Sequence, residues 1–209
     1  MKTEITTKRT SAIEKMANTL NLEPDKMLSV LKATVFAACR NNEELAALVV
    51  VANEYGLNPL LKEIYAFPSK GGGIVPMIPI DGWVRMVNNH PQMDGVDFLE
   101  NNDSNGNLLS VTCTIHRKDR SKPTVVTEYL NECKRATEPW KMERRMLRHK
   151  SLMQCARVAF GFSGIVDEDE AKDIAGIRNV TPDGDKINPF APAIVSLPVE
   201  TIVEDENNI

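Results

Sequence analysis

Aromatic residues are scarce in this chain: Phe, Trp and Tyr make up 5% of its 209 residues. Long apolar runs are missing, and none approaches the roughly 18 residues that a bilayer span requires. The opening stretch, MKTEITTKRTSAIEKM, holds lysines without an apolar h-region, which argues against a secretory signal and for residence in the cytoplasm. The four cysteines, Cys39, Cys113, Cys133 and Cys155, lie too far apart for a CxxC zinc knuckle or redox pair. Free and mostly buried thiols in a reducing compartment are expected instead. The three histidines (His90, His116, His149) have no metal-ligand spacing, and neither HExxH nor GxSxG occurs. Ser69 and Lys70, followed by Gly71, Gly72 and Gly73, lack the GxxxxGK[ST] order of a Walker A loop, so ATP hydrolysis has no visible support. What remains of an enzyme reading is a metal nuclease built on carboxylates such as Asp94, Asp97, Glu100 and Asp103, with Asp94 and Asp97 in a loop leading into a strand. No short ExK pattern accompanies these residues. The chain is expected not to be an enzyme.

What the chain does have is charge, unevenly placed. Its net charge is -4, yet from Cys113 to Arg157 twelve Lys and Arg stand against five Asp and Glu, a local +7 that leaves -11 for the rest. The densest part is MERRMLRHKSLMQCARVAFGF, with Arg144, Arg145, Arg148, Lys150 and Arg157. From Val166 onward the sign reverses, to eleven acidic and three basic residues. A net-acidic chain that gathers its positive charge in one stretch is built to present it to a polyanion.

The organisation follows from periodicity. Residues 1–22 are polar and weakly patterned, and read as a flexible N-terminal arm. Residues 23–178 form one core, and residues 179–209, acidic and with four prolines, read as a disordered tail. Pro24 and Asp25 open a helix with apolar positions at Met27, Leu28, Leu31, Val35 and Phe36. NEELAALVVVANEYG gives a second, with Asn42 as N-cap and Gly56 as C-cap. KEIYAFPSK and IVPMIPI, joined by glycines, read as a hairpin that Pro68, Pro76 and Pro79 confine to a sheet edge or a bulge. A short helix capped by Asp81 follows, then three strands, VDFLEN, LLSVTCTIHRK and TVVTEYL. Asn105-Gly106 suggests a type I′ turn between the first two. The basic helix runs from about Lys141 to Phe162, and the acidic DEDEAKDIAGI makes a short helix after it.

At helical spacing Met142, Met146, Met153, Ala156 and Phe160 share one face of the basic helix, flanked by Arg144 and Arg148 on one side and by Lys150 and Arg157 on the other. A solvated amphipathic helix accounts for that pattern too. The excess of arginine, whose planar fork suits phosphate and stacks on bases, favours nucleic acid. Tyr55, Tyr65, Phe67, Trp83, Tyr129 and Trp140 divide between base-stacking platforms and ordinary packing, and the sequence alone does not choose.

The blocks VANEYGLNPLLKEIYAFPSK, GGIVPMIPIDGWVRMVN, TEYLNECKR and RMLRHKSLMQCARVAFGFSGI, in collinear order from about Phe36 to Ile177, resemble the RecT/Bet family of single-strand annealing proteins. The resemblance implies an α+β fold, a small antiparallel sheet packed by helices, with a long basic helix and disordered termini. It implies a protein of phage-type homologous recombination that coats single-stranded DNA left by a partner exonuclease and pairs it with a complementary strand. No ATP and no sequence-specific readout are involved. It further implies a homo-oligomer, ring or helical filament, with DNA in a basic groove across adjacent subunits. By match to the family's DNA-contacting positions, Lys62, Lys70, Lys118, Arg135, Arg144, Arg148, Lys150 and Arg157 become candidate DNA-binding residues. No cofactor is required, with magnesium as a modulator of DNA binding. An exonuclease and the host single-strand binding protein are implied partners through a folded helical C-terminal module, which the proline-containing residues 179–209 do not match. The segment from Arg135 to Trp140 is also several residues shorter than in the best-known member. The rival of a different class is a passive single-strand coat or scaffold, which would slow pairing.

Overall fold

The computed structural model describes residues 10–69 and 72–176. Lys70, Gly71, residues 1–9 and residues 177–209, with the expected acidic tail, lie outside the described residues.

Ser11 opens the first helix, α1 (Ala12–Leu20). Its hydroxyl accepts from the Glu14 amide while the Glu14 carboxylate accepts from the Ser11 amide, a reciprocal capping box. The reading of residues 1–22 as a flexible arm is thereby corrected from Ser11 onward, because α1 buries Met16 and Ala17 and docks on the helices that follow. Asn53 Nδ2 donates to the Ala12 carbonyl at 2.7 Å and fixes that docking. Helix α2 (Pro24–Ala33) starts with proline at its first turn and ends earlier than its apolar periodicity suggests, at Thr34, although Phe36 beyond it is fully buried. Helix α3 (Asn42–Glu54) is capped by Asn41, one residue before the expected Asn42, whose side chain takes the Glu44 amide at 2.8 Å. Gly56 follows in the left-handed region, φ +62°, where a side chain would be strained.

Strands β1 (Tyr65–Pro68) and β2 (Ile74–Met77) form a separate two-stranded antiparallel sheet, with Val166 bridging β2 at Met77, and this short sheet tolerates Pro68 and Pro76. Helix α4 (Ile80–Asn89) begins after Pro79, so Asp81 lies in the first turn and is not the cap. Gly82 lets this helix meet the backbone before β1: a Cβ there would sit 2.3 Å from the Glu63 carbonyl oxygen and 2.6 Å from Ile78 Cγ2.

The second sheet has the order β3-β4-β5, all antiparallel, from β3 (Met93–Asn102), β4 (Leu108–Arg117) and β5 (Thr124–Tyr129). Asp94 and Asp97 belong to β3 itself, not to a loop before it. Between β3 and β4 only Gly106 takes a positive φ, so the turn is not type I′; Asp103 organises it by accepting from the Asn105 and Asn107 amides, each at 2.8 Å.

Helix α5 (Leu130–Cys133) and a 3-10 turn (Glu138–Lys141) lead into the long helix α6 (Glu143–Phe160), which Gly161 ends at φ +75°. Helix α6 lies across β4 and β5, and α7 (Glu168–Gly176) follows it. The buried positions of α6 are Leu147, Lys150, Ser151, Leu152, Met153, Cys155, Ala156 and Ala159. This is wider than the single apolar stripe read from the sequence, and Met142, assigned to that stripe, is exposed. The sheet covers one side of α6 and ion-paired carboxylates of α7 the other, so burial does not follow apolarity. The fold is α+β, a small antiparallel sheet packed by helices with a long basic helix, as expected. Cys39, Cys113 and Cys155 are buried free thiols, and Cys133 is half-buried. No helix among the described residues is long and apolar enough to cross a membrane.

Candidate nucleic-acid interface

The described candidate cations fall into two groups and two isolated positions. The first group stands where the N-terminal half of α6 passes the hairpin end of β3. Glu100, on the sheet face that α6 covers, accepts from Arg144 Nη1 at 2.5 Å and from Arg148 Nη2 at 2.9 Å. Arg144 also donates to the Gly106 carbonyl at 3.0 Å, and the Arg148 guanidinium lies 5.4 Å from the Phe98 ring centroid. One carboxylate therefore serves two arginines one helical turn apart. Both guanidiniums stay about half exposed, at 49% and 50%, with donors still turned to solvent. The Arg144 hydrogen bond, with that of Arg148 and the charges of both arginines, holds the Glu100 carboxyl below its usual range.

The second group faces α7. Lys150 Nζ meets Asp167 at 2.7 and 2.8 Å and Asp169 at 3.3 Å, in a site where all three side chains are nearly closed to solvent. Burial alone would lower the Lys150 pKa, but Asp167 and Asp169 outweigh it and the ammonium is held above its ordinary range. Arg157 forks onto Glu170 at 2.6 and 2.5 Å, donates to the Ile165 carbonyl, and lies 5.1 Å from the Trp83 ring centroid. Burial pushes Glu170 up, but the Arg157 fork, the Asp167 amide and the charges of Arg157 and Lys150 prevail and hold it low. Arg135 reaches Asp173 at 3.2 Å, and Trp140 Nε1 donates to Asp169 at 3.1 Å. The two sides of α6 that the spacing separates, Arg144 with Arg148 and Lys150 with Arg157, therefore meet different partners. Arg144 and Arg148 open to solvent, while Lys150 and Arg157 are engaged by Asp167, Asp169 and Glu170 at the start of the acidic segment.

Lys62 and Lys118 stand apart from both groups. Lys62 ends the 3-10 turn Pro59–Leu61 in the left-handed region, φ +62°, and its side chain is exposed. The network around it is tight: Asn58 Oδ1 accepts from Leu60 N, Glu63 accepts from Asn58 N, and Arg85 pairs with Glu63 at 3.2 Å. Lys118 follows β4, exposed, its amide donating to the Gln92 carbonyl. Lys70 lies outside the described residues.

Arg145, not among the matched positions, lines an open cleft of about 570 Å³ with Ile78, Pro139, Met142 and Met146. Of the candidate aromatics, Trp83 and Trp140 are buried core, Tyr55 packs edge-on to Phe162 and exchanges hydrogen bonds with Ser163, and Tyr129 is half exposed. Trp83 Nε1 has no partner although buried. The nuclease carboxylates do not converge. Asp97 meets His116, Glu100 holds the two arginines from the opposite face of β3, and Asp103 serves its turn. Among the described residues no three His, Cys, Asp or Glu side chains group as a metal site.

The model of the RecT family matches residues 21–182, which covers the sheet, both cation groups and Lys62. The chain is 46% identical over 165 residues to the recombination protein bet of Escherichia phage lambda, an alignment covering 74% of this chain and 61% of that protein. The chain therefore spans about three fifths of the length of that curated relative. With the family model matching most of its length, this chain belongs to the RecT family.

Proposed function

We propose that this chain binds single-stranded DNA through its phosphates and anneals complementary strands in phage-type recombination, without ATP, without sequence-specific readout and without a catalytic step. The observation that carries this reading is the Arg144–Arg148 pair, two half-exposed guanidiniums on successive turns, held in place by Glu100 and still offering donors. Preoriented arginine forks suit phosphate, and neutralising a backbone releases counterions, so binding is steeply salt dependent. Phosphate contacts carry no sequence information, which leaves sequence to be read by base pairing between strands. Strand pairing is opposed by phosphate repulsion, and a protein that neutralises one strand while leaving its bases free lowers that barrier. The similarity to the lambda recombination protein supports the recombination context.

Lys62, Lys118 and Arg135, all solvent-accessible, extend the proposed phosphate track, and Lys70 is assigned to it by resemblance. Lys150 and Arg157 belong to it only with α7 released. A homo-oligomer, ring or filament, multiplies these contacts. The exonuclease partner and the cytoplasmic setting follow from the same family reading, as does magnesium acting on phosphates without being required. The test mixes two complementary oligonucleotides with the protein and no nucleotide. Pairing faster than for free strands, with equal affinity for oligonucleotides of unrelated sequence and equal length, supports annealing. Slower pairing would make the protein a passive coat.

A further inference from the structure

Helix α7 and the residue before it meet the rest of the molecule through a set of ion pairs. Its first turn and the residue before it present Asp167, Asp169 and Glu170, which take up Lys150 and Arg157, and Asp173 further along takes up Arg135. Among the described side chains of α7 the apolar ones are Ala171, which is buried, and Ile174, which is half-buried. The three cations so paired belong to the basic excess that marks the chain as a partner of polyanions. A row of carboxylates on such cations occupies them as phosphates would. The chain before α7 is anchored independently, since Val166 bonds through its amide to the Pro76 carbonyl and through its carbonyl to the Ile78 amide, both on the β2 side.

We propose that α7 is a displaceable internal polyanion: in the free protein it covers Lys150 and Arg157 and pairs with the exposed Arg135, and it pivots away after Val166 when phosphates of single-stranded DNA take these cations. The inference rests on the DNA-binding reading above and adds a regulated second half to the phosphate track. Removing one partner of a buried ion pair is strongly unfavourable, but here one anion replaces another. Lys150 and Arg157 stay paired throughout, while the α7 carboxylates pass into water. Opening the track in this way would make its full affinity conditional on a strand long enough to engage both groups.

The test is hydrogen exchange of backbone amides in residues 168–176 of the full chain, with and without saturating oligo-dT, alongside affinity for the same oligonucleotide. Faster exchange in α7 on binding, with β3–β5 unchanged or slower, is the expected result. Asp173→Asn, at an exposed edge of the contact, is expected to tighten oligo-dT binding by about two- to five-fold. Glu54→Gln, the same charge change at the exposed end of α3, is the control. Unchanged or slower exchange of α7 with DNA bound, or no greater effect of Asp173→Asn than of Glu54→Gln, would overturn the proposal and leave the DNA-binding reading intact. Absence of any binding to oligo-dT would overturn both.

Discussion

At the scale of single residues, two positions separate backbone from charge. Lys62 holds a left-handed conformation that costs a side-chain-bearing residue about 1–3 kcal/mol and glycine almost nothing. Lys62→Gly is therefore expected to keep or raise stability, by about 1 kcal/mol in denaturant unfolding, while weakening oligonucleotide binding. Loss of stability instead would mean that the lysine stem is needed by the turn. Gly82 is the opposite case. Its missing Cβ leaves the space taken by the Glu63 carbonyl and Ile78, and carbonyl backbone gives way poorly. Gly82→Ala should lose about 1–3 kcal/mol, with the deficit read as a lower denaturant midpoint. Neither role is legible in sequence, because each depends on what the chain places opposite the residue.

At the scale of elements, α7 holds to α6 through ion pairs that acid can remove. Glu170 has its carboxyl held below the ordinary range in the folded protein. It therefore contributes stability that is present above the ordinary glutamate pKa and lost as pH falls through the folded value. The expected outcome is that amide protection in α7 declines on acidification below about pH 4.5 before the β3–β5 sheet is lost, and that Glu170→Gln flattens this dependence. Simultaneous loss of α7 and sheet would contradict a separable α7. The elements themselves were largely legible. Helical period, strand alternation and glycine stops mark α2, α3, α4, α6 and all five strands, and the acidic run after the basic helix marks α7, while the four-residue α5 goes unmarked, with its Leu130 read as the end of β5. Helix α1 was missed although Ser11 and Glu14 carry a capping-box spacing, since its polar surface hides a two-residue buried face, Met16 and Ala17. The buried side of α6 was misjudged because Lys150 reads as surface until Asp167 and Asp169, remote in sequence, are brought to it.

At the scale of the whole molecule, the charge asymmetry seen in the sequence resolves into ion-paired groups, not one bare cationic face. The pattern of positive residues pointed to a polyanion, and the structure adds which guanidiniums are accessible in the free protein. Two histidines bear on overall stability. Burial holds both His149 and His90 below the ordinary imidazole range, with Arg145 beside His149 and Arg117 beside His90 adding to the shift. A base with a depressed folded pKa binds protons more readily unfolded, so its contribution is present above about pH 6.5 and lost as pH falls. The unfolding midpoint should therefore drop between pH 7 and pH 5.5, and less so in His149→Gln. A flat profile there would mean that neither ring is closed to protons.

The central claim is that accessible arginines on α6 drive pairing of strands without chemistry. It is tested most directly by the annealing rate of two complementary oligonucleotides, without nucleotide, for wild type and for Arg144→Ala/Arg148→Ala. Both arginines lie at the surface, so circular dichroism should show the variant folded. The expected result is faster pairing by wild type and at least a tenfold loss of that acceleration in the variant, about 1.4 kcal/mol of barrier. Acceleration retained in a folded variant would contradict the account and move the phosphate track away from α6.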